Sequence, residues 1–483
     1  MGMTARPLNS APLTLPALLT TLTSALQAAG GRPVVVGGAV RDHMLHKTPK
    51  DFDVEVYGLS LDDVEAACAR VGKVHAVGRS FGVLKVTLAD VIDGTDVTDT
   101  YDVALPRTEN KVGQGHRGFV VESQPDLTFA DAATRRDFTL NAMGWDVVDN
   151  VLLDPHGGQA DLADGVLRHV SDAFDEDPLR VLRGCQFAAR FDLVMHDDTV
   201  AKCRSLQSEL STLPKERLWE EWKKLLLQAE RPSVGLDVMR ATGALVLFPE
   251  LEAMIGCEQD VLWHPEGDVW VHTLMVVDEA ARICREAGVD DDERLLAMYG
   301  ALLHDVGKPD TTQFEDGHIR SRGHEAHGEV GTRSFMERIG APHDVTDAVV
   351  PLVKEHLKPH ALYGERDRVS DGALRRLALR VPIERLVLVS HADFCGRTTK
   401  EALSRNDPSK AWLLEQAERL QVQRDAPQPL LQGRHLLALG MTPGPAMGDI
   451  LKAAFAAQLD GAFHDVDGGE AWLQAHLAER EKA

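Results

Sequence analysis

The sequence lacks the features that mark membrane and secreted proteins. No run approaches the roughly 18 apolar residues of a membrane-spanning helix. Residues 1–30 carry one early arginine and no apolar core with a small-residue cleavage site, so we expect a short extension leading into a helix. The six cysteines are scattered without a Cys-x-x-Cys pair, which argues against a zinc knuckle or a disulfide framework. These absences together predict a cytoplasmic protein with reduced thiols and no membrane partner.

Positive charge is also scarce. The chain has 52 lysines and arginines against 75 aspartates and glutamates, a formal net charge of −23. Proteins that follow nucleic-acid phosphates usually carry a basic surface. The balance therefore argues mildly against tight, non-specific RNA binding. It permits a small, shape-specific RNA contact, because a local basic groove can coexist with acidic faces elsewhere.

The order of periodic segments predicts a mixed α/β head followed by a long helical body. At 483 residues the chain is too long for one core, so about two to four domains are expected. Strand-like and helical segments alternate up to residue 104, and helical periodicity dominates beyond about Ser171. The expected divisions are an extension at 1–30, a head at 31–170, a helical neck at 171–245, a helical domain at 246–400 and a helical tail at 401–483.

A glycine pair separates the first predicted strand from a helix. Gly37 and Gly38 let the backbone approach a phosphate closely, and the helix start offers free N–H groups to an anion. Arg41 adds a guanidinium fork suited to a triphosphate oxygen. Such pairs are common before helices, so this signal is weak by itself.

Two aspartates in the next predicted strand suggest a magnesium site. Asp51 and Asp53 are two residues apart, and such residues point to the same face of a strand. They can share a pair of Mg²⁺ ions, one activating an attacking 3′ hydroxyl and the other supporting a leaving pyrophosphate. Asp102, on a neighbouring strand candidate, is a possible third catalytic acid. The alternative is a solvated face of alternating acids.

A third segment, Arg-Arg-Asp-Phe-Thr-Leu-Asn-Ala, combines cations with an acid and an amide. Arg136 is expected to grip a triphosphate or sugar, while Asp137 and Asn141 order the site.

A fourth segment, Glu-Asp-Pro-Leu-Arg, places an acid three residues before an arginine. Asp177 and Arg180 are predicted to lie on one face of a helix, which Arg183 extends by a turn. Such a pair can recognise the edge of a base, and the alternative is a surface salt bridge.

Histidines and aspartates recur in the helical body with a pattern that suits a metal. Neutral imidazoles with carboxylates favour Mn²⁺, Ni²⁺ or Co²⁺, and a metal so held can deliver hydroxide to phosphorus. A single histidine in an apolar helix is usually a core residue, so the inference depends on the whole set. That set is His272, His304, Asp305, His324, His327, His356 and Asp393.

The ordered motifs GGAVRD, DFD, RRDFTLNA, EDPLR and KERLW resemble the class II tRNA nucleotidyltransferases and bacterial poly(A) polymerases, over residues 34 to about 225. The resemblance implies an α+β fold, with a DNA polymerase β-like head followed by an all-α neck and body. It implies that ATP and CTP are substrates and that Asp51 and Asp53 bind catalytic Mg²⁺. It further assigns nucleotide phosphates and sugar to Gly38, Arg41 and Arg136, and base selection to Asp177 and Arg180 with Arg183 adjacent.

The histidine set resembles the HD phosphohydrolases, and residues 264–397 resemble the body of bacterial multifunctional CCA-adding enzymes. Those enzymes are associated with 2′,3′-cyclic phosphodiesterase, 2′-nucleotidase and phosphatase activities. The resemblance makes His272, His304, Asp305 and Asp393 metal ligands. It leaves a second metal or a phosphate to His324, His327 and His356.

The expected function is therefore addition of CCA, or of the terminal A alone, to the tRNA acceptor arm, with an additional phosphohydrolase activity. Relatives that add only CC lack a flexible loop, whereas this chain keeps one at Leu105 to Asp126, with Arg107, Lys111 and Arg117. Two alternatives stay open: a poly(A) polymerase, against which the acidic charge balance argues mildly, and an HD nucleotide phosphohydrolase with an inactive head. The sequence leaves the oligomeric state open.

Overall fold

The structure, a computed structural model, describes residues 6–75, 82–92, 95–111, 119–123 and 127–480. This part of the chain forms two compact units. The first contains residues up to Arg217 together with Val234–Leu247, and the second contains Leu218–Ser233 and residues from Phe248 onward. Among the described residues, no helix combines the length and the apolar character that crossing a bilayer requires.

The first unit is built on a mixed sheet. Its first strands are β1 Arg32–Val36, β2 Asp53–Tyr57, β3 Lys73–His75, β4 Val83–Ile92, β5 Thr95–Ala104, β6 Arg107–Lys111, β7 Phe119–Ser123, β8 Gly144–Asp146 and β9 Val151–Leu153. Within the described ranges, seven of these form one sheet in the order β3-β4-β5-β2-β1-β8-β9. Neighbours pair antiparallel except β2 and β5, which are parallel. That parallel pair brings two acidic segments, distant in sequence, side by side.

Helices cover and extend this sheet. They are α1 Ala17–Ala28, α2 Gly38–Met44, α3 Leu61–Ala69, α4 Phe129–Thr134, α5 Gly158–Ala163, α6 Leu179–Phe191, α7 Asp197–Ser205 and α9 Pro232–Thr242. Helix α8 Lys215–Gln228, between α7 and α9 in the chain, lies mainly in the second unit. The apolar face of α1 contacts α3, β1 and β4, and Leu19, Leu22 and Leu26 on it are fully buried. A short parallel pair, β10 Val166–Leu167 and β11 Val194–Met195, joins the chain on either side of α6.

One expectation about this unit is wrong. Part of the loop predicted at Leu105 to Asp126 is an antiparallel hairpin, in which β6 pairs with β7 and Arg107 is opposite Ser123. The polar composition of residues 107–111 concealed the strand, since the backbone hydrogen bonds of a ladder do not depend on apolar side chains. Arg117 lies outside the described residues.

The second unit is helical apart from one hairpin. Its helices are α10 Pro249–Glu252, α11 Val269–Glu286, α12 Asp291–Leu303, α13 Lys308–Thr311, α14 His324–Arg338, α15 His343–Glu355, α16 Lys358–Gly364, α17 Asp371–Ala378, α18 Ile383–Cys395, α19 Lys400–Leu403, α20 Pro408–Leu420, α21 Gly433–Ala438, α22 Pro445–Leu459 and α23 Val466–Arg480. The hairpin pairs β12 Thr312–Glu315 with β13 His318–Ser321. Its turn residues Asp316 and Gly317 have φ of 52° and 83°. This is the Asp-Gly signal of a two-residue hairpin, so the sequence did contain it.

The core of the second unit brings four helices together. Helix α11 packs on α12 and α18, and α12 also packs on α15 and α18. Trp222 fills the core nearby, with ring-centroid distances of 5.0 Å to Phe248 and 5.2 Å to Phe335. The last three helices bury a separate apolar cluster around Leu436 and Leu473. Five of the seven predicted metal-binding residues lie on or beside these four helices, so this packing brings those five to one place.

Candidate active sites

In the first unit, the glycine turn lies at the same edge of the sheet as the predicted catalytic acids, since the end of β1 pairs with the start of β2. Gly37 has φ of 71°, a conformation that favours glycine. A Cβ at Gly37 would lie 3.4 Å from Arg136 Nη1, and one at Gly38 would lie 3.5 Å from Arg41 Nη2. Both guanidinium groups therefore lie directly against this turn.

The predicted catalytic acids carry more negative charge than the nearby cation balances. Asp53 is the cross-strand partner of Asp102, and Asp51 is exposed two residues before Asp53. Desolvation and the negative charge of Asp102 raise the pKa of Asp53 above its ordinary value. Lys85 Nζ offsets part of this charge, 2.7 Å from Asp102 Oδ1. Oxygen ligands that repel one another in this way suit a bound Mg²⁺, which relieves the repulsion.

Glu55 is a site residue that the sequence analysis missed. It follows Asp53 by two residues, and its carboxylate accepts hydrogen bonds from Arg136 Nη2 at 2.6 Å and from the Tyr57 hydroxyl at 2.7 Å. Arg136 also donates to the Asn141 carbonyl at 3.1 Å. Glu55 therefore fixes Arg136 beside the glycine turn. The signal was present, since the Asp-Phe-Asp-Val-Glu alternation continues the acidic face by one position.

A buried hydrogen-bond network joins the other predicted nucleotide-binding residues. Arg41, only 5% exposed, donates to Asn141 Oδ1 at 2.7 Å, and Asn141 Nδ2 donates to Asp137 Oδ1 at 3.0 Å. The second oxygen of Asp137 accepts from Arg183 at 2.7 and 2.9 Å. The Arg41 guanidinium carbon also lies 4.4 Å from the centroid of the Phe191 ring. The network connects α2 to α6 through the turn that follows α4.

Arg180 lies on a helix as predicted, but the helical placement predicted for Asp177 is wrong. Helix α6 begins at Leu179, so Asp177 precedes it, and its Oδ1 accepts the Leu179 N–H at 3.0 Å as in an Asx turn. Its other oxygen lies 2.7 Å from Arg217 Nη2 at the start of α8, and Arg180 donates to two backbone carbonyls at 2.6 and 2.8 Å. The cause is Pro178, which is disfavoured inside a helix and favoured where one starts.

Replacing Asp137 with alanine is expected to destabilise the first unit by about 2–3 kcal/mol, since it leaves Arg183 and Asn141 without their acceptor. The loss is below that of a fully buried pair because Arg183 is 33% exposed. Burial alone would raise the pKa of Asp137, but Arg183 and Asn141 lower it below its ordinary value. The stabilisation is therefore complete above about pH 4 and is lost as pH falls through the lower, folded-state pKa.

Urea denaturation of the wild type and of Asp137→Ala, at pH 7 and again below pH 4, measures both effects. Asp164→Ala, at an exposed position in the same unit, is the control. The free energy of unfolding of the wild type and of Asp137→Ala should differ less below pH 4 than at pH 7. An equal difference at both pH values would contradict an ionised Asp137 in the folded protein.

In the second unit, the predicted metal ligands surround one buried centre. His272 lies on α11, His304 and Asp305 follow α12, and Asp393 lies on α18. His324 begins α14, and His356 follows α15. All six are buried. A cavity of about 230 Å³ reaches this centre and is lined by Asp305, His324, His356 and Asp393, among others. His327 is exposed one turn further along α14 and does not line the cavity.

Four of the histidines have an oxygen acceptor at Nδ1. In His304, His324 and His356, Nδ1 lies 2.7–2.8 Å from the backbone carbonyl three residues earlier, and His272 Nδ1 lies 2.8 Å from Glu266 Oε1. Acceptors at Nδ1 fix the proton there and leave the Nε2 lone pair for a metal. Glu266 was missed by the sequence analysis, although it lies two residues after His264, within the segment that resembles the multifunctional enzymes.

Asp305 belongs to two possible metal-ligand sets. Its Oδ2 lies 3.2 Å from His304 Nε2, and its Oδ1 lies 3.3 Å from His324 Nε2. The ligand atoms of His272, His304 and Asp305 lie within 4.8 Å of one another, as do those of Asp305, His324 and His356. A carboxylate shared in this way suits two neighbouring cations, as in two-metal phosphoesterases.

The protonation states of Asp305 and His356 agree with metal binding. Burial alone would lower the pKa of His272 and of His324, but hydrogen bonds to carboxylates raise both. Burial alone would raise the pKa of Asp305, but His304 and Lys308 hold it well below its ordinary value. Burial lowers the pKa of His356 to about 3. The site therefore presents an ionised carboxylate and a neutral imidazole at pH 7, which are the forms that coordinate metals.

Two cations beside this centre were also missed. Lys308 Nζ lies 2.6 Å from Asp305 Oδ2, and Arg397 Nη2 lies 2.7 Å from Asp393 Oδ2. Both line the cavity. Their sequence signals were their positions, three residues after Asp305 and four after Asp393. They give the cavity positive groups suited to a phosphate.

Comparison with protein families agrees with this geometry. The Poly A polymerase head domain matches residues 34–168, the probable RNA and SrmB-binding site of polymerase A matches residues 192–255, and the HD domain matches residues 269–397. The first match contains the acidic edge of the sheet and the glycine turn. The third contains the six buried metal-ligand candidates.

Solved structures share the fold. A Bacillus stearothermophilus CCA-adding enzyme in complex with CTP has a TM-score of 0.65 at 20% identity, covering 97% of this chain and 100% of that one. A Thermotoga maritima CCA-adding enzyme complexed with tRNA has a TM-score of 0.56 at 21% identity, covering 96% of both chains. The predicted α+β architecture, with a mixed head and a helical body, is thereby confirmed.

Curated relatives are more similar in sequence. The multifunctional CCA protein of Stenotrophomonas maltophilia is 36% identical over 430 residues, which cover 87% of this chain and 97% of the relative. That of Xanthomonas campestris pv. campestris is 35% identical over 437 residues, covering 88% and 97%. The chain therefore belongs to the multifunctional CCA protein family of tRNA nucleotidyltransferases.

Proposed function

We propose that the first unit adds CCA to the 3′ end of tRNA, using CTP and ATP. The observation that carries this proposal is the Asp53–Asp102 pair beside the glycine turn. It concentrates negative charge where Arg136 and Arg41 offer positive groups to a triphosphate. The relatives are multifunctional CCA proteins, which supports the choice of the tRNA acceptor arm as the partner. A cytoplasmic location accompanies this role.

Different residues bind the metal and the nucleotide phosphates. Bound Mg²⁺ on Asp51 and Asp53, with Asp102 adjacent, would supply charge stabilisation for the attacking and leaving oxygens. Arg136, oriented by Glu55, holds the phosphates over Gly37 and Gly38. Positioning and charge neutralisation of this kind account for most of the catalysis of phosphoryl-type transfer.

The buried network behind the glycine turn supports base selection. Arg41, Asn141 and Asp137 connect the phosphate side of the site to Arg183 on α6. We assign recognition of the base to Asp177, Arg180 and Arg183. Arg217 holds Asp177, and two backbone carbonyls hold Arg180, so both side chains are pre-oriented before a nucleotide binds. Pre-orientation reduces the entropy cost of recognising the base.

An incorporation assay tests the proposal with tRNA transcripts that lack CCA, lack only the terminal A, or are complete. Labelled CTP and ATP are supplied separately and together. We expect the shortest transcript to gain CCA and then stop, and the complete transcript to gain nothing. Extension of only the transcript lacking the terminal A would replace the proposal with an A-adding enzyme. Unlimited ATP addition would replace it with a poly(A) polymerase.

For the second unit we propose a metal-dependent phosphohydrolase that acts on phosphate groups at RNA 3′ ends. The observation that favours it is the oxygen acceptor at Nδ1 of each of four histidines around Asp305, which leaves Nε2 for a metal. Bound Mn²⁺, Ni²⁺ or Co²⁺ would supply a hydroxide nucleophile at neutral pH. Lys308 and Arg397 would attract and orient the phosphate. Such an activity would clear a phosphorylated end before nucleotide addition.

A further inference from the structure

Three consecutive apolar side chains are exposed beside the metal cavity. Val261, Leu262 and Trp263 are 69%, 67% and 66% exposed. Their turn is held by Asp260, whose Oδ1 accepts the Leu262 N–H at 3.0 Å and whose Oδ2 lies 2.8 Å from His318 Nδ1. A fixed turn that keeps a tryptophan exposed indicates a binding site, because exposed apolar patches commonly mark such sites.

Trp263 lines two cavities. The first is the metal cavity, and the second, of about 510 Å³, is also lined by Leu262, Pro265 and Phe394. Arg397 lines both cavities as well, so they meet at Trp263 and Arg397. The second cavity thus combines two aromatic rings with a guanidinium group on the side of the metal centre.

We propose that this second cavity binds the terminal nucleobase of the RNA whose phosphate lies in the metal cavity. The inference rests on the proposed phosphohydrolase function and names the part of the substrate that the metal centre does not contact. A base has a flat π-face that stacks on aromatic side chains, and its adjacent phosphate needs a cation. Trp263 supplies the stacking surface, and Arg397, paired with Asp393, supplies the cation between base and metal.

The chemistry of the lining favours this occupant over a protein segment. The cavity lies directly against the phosphate-binding groups, and its charged lining consists of two cations, Arg397 and Lys400, and one acid, Glu401. An anionic ligand with an aromatic end matches both features. Since any base has a π-face, stacking predicts little discrimination among the four bases and strong discrimination against a phosphate ester that has no base.

The test compares hydrolysis of 2′-AMP and glycerol 2-phosphate by the full-length protein with Mn²⁺. Trp263→Ala is expected to raise KM for 2′-AMP about tenfold or more and to leave hydrolysis of glycerol 2-phosphate unchanged. Trp263→Phe should restore most of the loss, because phenylalanine keeps a stacking surface. Val261→Ala, equally exposed but lining neither cavity, should behave as the wild type.

An unchanged KM for 2′-AMP in Trp263→Ala, or an equal loss with both substrates, would overturn the nucleobase site. If the wild type hydrolyses neither substrate, the phosphohydrolase proposal fails and equilibrium binding decides the nucleobase site separately. Weaker binding of 2′-AMP to Trp263→Ala than to the wild type then supports the nucleobase site, and equal binding overturns the nucleobase site. Any 2′-AMP bound by the first unit contributes equally to both proteins and cancels in the comparison.

Discussion

Replacing Asp53 with asparagine is expected to reduce CTP and ATP incorporation into tRNA about a thousandfold or more. The change removes one of the negative charges that face Asp102, and with it a ligand of the proposed Mg²⁺ site. Metal stabilisation of transition-state charge amounts to several kcal/mol, and about 4 kcal/mol corresponds to a thousandfold in rate. Single-turnover incorporation into a transcript lacking CCA, at saturating nucleotide, measures the effect on the chemical step.

Asp90→Asn is the matched control for this variant. Asp90 is an exposed acid on β4 of the same sheet, opposite Val97, and belongs to no part of the proposed site. It should incorporate nucleotides at the wild-type rate. Phosphate release by the second unit should be unchanged in both variants, which reports that the second unit is folded and active. Full incorporation by Asp53→Asn would contradict the assignment of the catalytic acids.

Replacing Asp305 with asparagine is expected to reduce phosphohydrolase activity about a thousandfold. Nucleotide incorporation should be unchanged. The asparagine amide removes the charge that both possible metal-ligand sets share, while the volume of the side chain is kept. Metal content of the purified protein, and phosphate release from 2′-AMP with added Mn²⁺, Ni²⁺ or Co²⁺, measure the two consequences. Loss of activity with loss of metal would identify Asp305 as a ligand.

Asp310→Asn provides the control, because Asp310 is exposed on α13, five residues beyond Asp305. It should keep both its metal and its activity. If a folded Asp305→Asn protein loses both nucleotide incorporation and phosphate release, the assignment of the two reactions to separate sites is contradicted. Retention of phosphate release would place the hydrolytic chemistry elsewhere in the chain.

Local patterns in the sequence were sufficient for the strands and helices that carry the head site. The sequence predicted a strand before the glycine pair and another that carries Asp51 and Asp53. Strand β1 confirms the first, and β2 confirms the second from Asp53 onward, while Asp51 precedes it. Both patterns depend on side-chain periodicity, which is a property of neighbouring residues. The hairpin of β6 and β7 was missed, since its strands are held by each other's backbone and not by an apolar face.

The sequence by itself determined which chemical groups the protein carries and in which order, and this was enough to predict the α+β class and the family. The tertiary structure decided which of those groups meet. The contacts of Glu55 with Arg136 and of Asp177 with Arg217 span 81 and 40 residues, and Asp305 Oδ1 faces His324 at the start of another helix. No local spacing encodes such contacts, because they arise when distant segments pack to bury their apolar faces.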